Sequence, residues 1–155
     1  MYTKKTINII DDDYVEKTLN RFLSAQQDDY DIAYKEMQAG QKCSHWMWYV
    51  FPQLKGLGKS PIAKHYGIQN IQEAIDYINH PVLGKRLKEI SQVLLDNPSN
   101  NPTEVMGSPD DLKLRSCMTL FYVVAPDEEI FKQVLDKYFN GEFDENTIRI
   151  LKEEV

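Results

Sequence analysis

The chain is predicted to be all-α, a single compact domain of about seven to eight short and medium helices around a central buried helix over 108–124. Three observations predict this. Helix start and stop signals recur at short intervals. Almost no segment alternates apolar and polar residues for long enough to make a sheet. At 155 residues the chain is the size of one ordinary domain and can bury a core without disulfide or metal staples. Hydrophobic residues at 42% and charged residues at 27% are close to globular averages, which excludes a disordered chain.

Residues 1–12 read as a flexible N-terminal arm. Behind an acidic cap near Asp12 or Asp13, Tyr14, Val15, Thr18, Leu19, Phe22 and Leu23 fall at helical spacing. A second helix carries Tyr30, Ala33, Tyr34 and Met37 and stops at Gly40. Ser60 before Pro61 opens a short helix that ends at Gly67. Asn70 with Glu73 resembles a capping box ahead of Ile71, Ala74, Ile75 and Ile78. Leu83, Leu87, Ile90, Val93 and Leu94 make the longest amphipathic stripe, which ends before the DNPSNNP loop. A single turn follows from Pro102 to Gly107.

In SPDDLKLRSCMTLFYVVAP, Ser108 is expected to cap, Pro109 to take the first helical position, and Asp110 and Asp111 to occupy the first turn. From Leu114 to Val124 this helix is apolar nearly all round, which marks it as the buried one. Asp127 is expected to cap a helix that runs to Gly141, and Asp144 to cap the last.

The stretch from Cys43 to Ser60, CSHWMWYVFPQLKGLGKS, holds both tryptophans. Such rigid aromatic surface serves either as a core wedge or as a pocket wall with His45 and Gln53 at its polar edge. It does not make a phosphate-binding loop: Gln53 stands where that loop needs a glycine, and Pro61 and Gly67 leave no long helix behind it. His45, His65 and His80 lack metal-ligand spacing, so no metal and no cofactor is expected. Cys43 and Cys117 read as reduced thiols, with Cys117 inert in an apolar helix.

Net charge is −6, which disfavours nucleic acid as a partner. No apolar run approaches bilayer-spanning length and the first residues do not resemble a signal peptide, so the expected location is cytoplasmic with no membrane partner. Nothing in the residues sets an oligomeric state.

Two functions compete. In the first, a small anionic or nucleotide-like molecule binds between the HWMWYVFPQ segment and the DDLKLRS helix. Its catalytic candidates are Lys113, Asp110, Asp111 and His45, and its ligand-binding candidates are Trp46, Trp48, Gln53, Arg115, Ser116 and Thr119. A cation on a largely buried helix needs a partner or a ligand, although Asp111 with Arg115 and Asp110 with Lys113 also fit ordinary helix-surface ion pairs. In the second, the chain is a non-catalytic protein-interaction module presenting an aromatic patch.

The motifs HWMWYVFPQLKGLGKS, AKHYGI, HPVLGKRL and DDLKLRSCMTLF, in this order and spacing, resemble the small, mostly bacterial, all-helical family catalogued as domain of unknown function 1810. The resemblance spans roughly Val15 to Leu151 and implies one α domain without supplying an activity. Some relatives bear the name calpastatin, an inhibitor that is intrinsically disordered, which the caps and apolar stripes of this chain contradict. By loose analogy with helical bacterial N-glycosidases, Lys113 would be a covalent or electrostatic centre and an aspartate the acid or base.

Overall fold

The computed structural model describes residues 9–154. Among these residues the chain forms nine helices: α1 (Ile9–Ala39), α2 (Met47–Val50), α3 (Pro61–Tyr66), α4 (Ile71–Asn79), α5 (Leu83–Asp96), α6 (Pro102–Met106), α7 (Asp110–Val124), α8 (Glu129–Phe139) and α9 (Glu145–Glu153). No strand forms among them. One isolated parallel bridge, Leu54 to Ile68, ties the glycine-rich connection to the end of α3. Residues 1–8 of the expected arm lie outside the described residues, and residues 9–12 are the first turn of α1.

The two helices expected before Gly40 are one 31-residue helix. Between Leu23 and Tyr30 there is no glycine or proline to stop it, and the aspartates expected as caps lie inside it. Its inner stripe is Leu19, Phe22, Gln26, Tyr30, Ala33 and Met37, all buried at the spacing of one helix face. Gln26 is the single amide on that stripe. Its Nε2 donates to the Tyr49 carbonyl at 2.7 Å and to the Tyr77 hydroxyl at 3.0 Å, so α1 is bonded to both α2 and α4.

Local signals set most of the other ends. Ser60 Oγ accepts from the Ala63 N–H, Asn70 Oδ1 from Glu73, and Asp144 Oδ2 from Thr147. The capping box is shifted by one residue, because Glu73 returns to the N–H of Gln69 rather than to that of Asn70. Two caps differ from expectation. Pro109, after a cis bond from Ser108, occupies the N-cap position of α7, and Glu128 rather than Asp127 occupies that of α8; neither makes a side-chain cap. The Asp127 site belongs to a turn in which the Glu128 N–H reaches the Ala125 carbonyl.

α7 is the centre. It packs against α4, α6, α8 and α9, and Leu114, Cys117, Met118, Leu120 and Phe121 on it are fully buried. An aromatic chain crosses the core through it. Phe22 meets Tyr77 edge-on at 5.1 Å, Tyr77 meets Phe121 at 5.4 Å, and Phe121 meets Phe131 at 5.8 Å, linking α1, α4, α7 and α8. Lys137 of α8 closes the C-terminal end of α5 by donating to the carbonyls of Leu94, Leu95 and Asn97.

The turn from α4 into α5 is tightly packed at Gly84. A Cβ at Gly84 would stand 2.0 Å from the Ile78 carbonyl oxygen, a backbone atom that cannot swing aside. Gly84→Ala is therefore expected to destabilise the domain by about 2–3 kcal/mol, as overpacking against fixed atoms does. Urea unfolding checks this; an unchanged midpoint would show that the two helices can slide apart.

Candidate functional site

The aromatic segment and the start of α7 meet directly, at Trp48 and Lys113, and also through Glu36 and Lys42, which lie outside both. Glu36, on α1, is the organiser. Its Oε1 accepts from the N–H groups of Cys43 at 2.8 Å and Ser44 at 2.9 Å and from Trp46 Nε1 at 2.9 Å, while Oε2 accepts from Ser44 Oγ at 2.6 Å. Partial burial alone would raise the Glu36 carboxyl. The bonds from Ser44, Cys43 and Trp46 together outweigh it and hold the group at about 2, against an ordinary 4.5. This carboxylate folds the 40–46 loop back onto α1 and seats Trp46, which is 1% exposed.

Lys42 uses that loop to reach α7. Its ammonium donates to the Ser44 carbonyl at 2.6 Å, lies 4.9 Å above the Trp46 ring and pairs with Asp110 Oδ2 at 2.8 Å. Lys113 approaches the other oxygen of Asp110 at 3.3 Å, and its ammonium lies 4.8 Å above the Trp48 ring. Two lysines thus share one carboxylate between two indoles. The Lys42 side chain is only 6% exposed, whereas Asp110 at 19% and Lys113 at 24% keep access to solvent.

The remaining sequence candidates are not gathered there. Asp111 is buried and accepts from Thr103 Oγ1 at 2.7 Å, which fastens α6 to α7. Ser116 Oγ donates to Asp144 Oδ2 at 2.8 Å, and Thr119 Oγ1 accepts from the Asp144 N–H at 2.9 Å, so both hold the start of α9. Arg115 is two residues from Lys113, about 200° around the helix, and lies beside Asp144 instead. His45 is exposed, and Gln53 contributes its backbone carbonyl to the Ile68 N–H at 2.9 Å. Trp46 is core, and Trp48 is half-buried at the rim.

Of the thiols, Cys43 is exposed and Cys117 is buried, which pushes its thiol well up. No cluster of three or more potential metal ligands occurs among the described residues. Nor is any described helix long and apolar enough to cross a membrane.

Glu36 and Lys42 carry no sequence signal of their own, since each looks like an ordinary surface charge until its distant partner is known. A cavity of about 840 Å³ lies at the opposite end of α7 between α4, α5 and α8. Several of its polar groups are already committed. Lys88 pairs with Glu128 at 3.3 Å. His80 receives the N–H groups of Val82 and Leu83 on Nδ1 and contacts Glu16 through Nε2 at 3.0 Å. Asp127 is the lining carboxylate left without a hydrogen bond or ion pair among the described residues.

The fold places the protein among single all-helical domains built around one buried helix. Residues 16–151 match the model of the family described as protein of unknown function (DUF1810), and the chain belongs to that family. It is similar to the crystal structure of the conserved hypothetical protein Rv1873 from Mycobacterium tuberculosis, with 43% identity and a TM-score of 0.85 over 86% of this chain and 96% of that one. No curated protein matches the chain.

The depressed Glu36 carboxyl has a pH signature. A group held below its unfolded value stabilises fully above about 4.5, and that stability is lost as pH falls toward about 2. Glu36→Gln is expected to lower stability at pH 7 by about 1–3 kcal/mol, the scale for hydrogen bonds to a charged acceptor. The gap between wild type and variant should close across that acid window in urea unfolding at stepped pH. A gap independent of pH would assign the loss to packing instead.

Proposed function

We propose that the protein binds a small anionic molecule carrying a planar group, on the ledge formed by Trp48, Lys113 and Asp110. One observation carries this reading: the Lys113 ammonium is poised over the half-buried Trp48 ring while its carboxylate partner is shared with the more deeply buried Lys42. Lys113 is the more solvent-accessible of the two ledge cations, in a chain whose net charge is −6. The N-terminal turn of α7, a 15-residue helix, adds partial positive charge on the same side. A phosphate or carboxylate would take the free valence of Lys113, and an aromatic ring would stack against Trp48. Long polyanions are disfavoured by the overall charge, so a mononucleotide-sized ligand fits better than nucleic acid. No bond-breaking step is assigned to Lys113 or Asp110.

A thermal-shift panel of nucleotides, dinucleotides and phosphorylated metabolites tests this. A true ligand at a hundred times its Kd should stabilise by about 2.7 kcal/mol and quench the tryptophan emission. Lys113→Gln is expected to weaken that ligand about 10-fold or more, the worth of a charge-assisted bond, and Trp48→Leu to remove the quenching. A flat panel would overturn the reading in favour of a protein-interaction role.

A further inference from the structure

Arg115 stands apart from this ledge. Its guanidinium makes no hydrogen bond or ion pair among the described residues, and its Nε is the one buried side-chain nitrogen or oxygen there without a partner. An arginine cannot shed its charge to relieve that situation. It borders an open cavity of about 620 Å³ completed by the turn from α8 into α9. That turn is held in place by the left-handed Asn140 and Gly141, with φ of 55° and 76°. Phe143 within it stacks on Tyr122 of α7 at 5.7 Å and 23°, giving the cavity an aromatic border.

The charges around the cavity select the ligand class. Asp144 is consumed by Ser116 and Thr147. Glu142 and Glu145 are exposed, and their carboxylates make no hydrogen bond or ion pair among the described residues. One unpaired guanidinium thus shares the cavity lining with two uncommitted carboxylates, which would repel a bare anion and welcome a ligand of mixed charge. We propose that this cavity binds a small zwitterion of the α-amino-acid class, its carboxylate taken by Arg115 and its ammonium facing Glu142 and Glu145. The fork of a guanidinium suits a carboxylate in two-point contact, and the Phe143–Tyr122 pair suits an apolar or aromatic side chain.

The Nε–H of Arg115 gives the experiment its probe. In ¹⁵N-labelled full-length protein, that resonance is assigned by its loss in Arg115→Lys and followed during titration with L-phenylalanine, acetate, ethylamine and inorganic phosphate. The expected result is a saturable shift with L-phenylalanine at a concentration at least 10-fold below that needed for acetate. The paired change Glu142→Gln with Glu145→Gln should bring L-phenylalanine down to the level of acetate, and Lys113→Gln should leave the titration unchanged. Phosphate or acetate matching L-phenylalanine would overturn the proposal, as would a resonance that no titrant moves. The wild-type titration decides even if the Glu142→Gln, Glu145→Gln variant fails to fold.

Discussion

The burial of α7 is the constraint on which the rest of the molecule depends. A helix packed by neighbours on most sides can carry polar groups only if each finds a partner, because an unpaired buried donor or charge costs several kcal/mol. Neighbouring elements supply those partners one by one. Thr103 meets Asp111, Asp144 meets Ser116 and Thr119, and Lys42 meets Asp110. The short helices α6 and α9 are thereby pinned to α7 by side-chain bonds as well as by apolar contact. Lys113 and Arg115 are the two cations on α7 that this arrangement leaves incompletely paired.

The 40–46 loop shows how one charged group organises a surface. The Glu36 carboxylate takes the loop N–H groups of Cys43 and Ser44. With it, the loop is wound against α1, Trp46 is drawn into the core, and Lys42 is aimed at α7. Ion pairs at exposed positions contribute little, but a lysine 6% exposed between an indole and a carboxylate is held far more firmly. The chain thus places a buried cation at the foot of the ledge and a more exposed one, Lys113, at its lip.

Helices were legible in the residues wherever the deciding interaction is local. Ser60, Asn70 and Asp144 cap the helices they precede, because a cap needs only an N–H two or three residues ahead. Ser108 and Asp127 carry the same chemistry, yet α7 and α8 begin after them, where the connecting turns and packing set the start. The single α1 was hidden for a related reason. An Asp-rich stretch between two apolar clusters looks like a cap and a break, but continuous burial of Leu19 through Met37 outweighs the weak preference of aspartate for helix ends.

By itself, the order of residues determined the all-helical class and the central position of α7. Those properties follow from periodicity and composition, which every local window of the chain carries. Only the tertiary structure decided which polar residues face one another. It separated Lys113 from Arg115 by turning them to different sides of α7, and it recruited Glu36 and Lys42 to the aromatic segment. The physical reason is that a charge-pair partner is chosen by proximity in space, and the Lys42–Asp110 pair closes a loop of chain whose folding no window of neighbouring residues records.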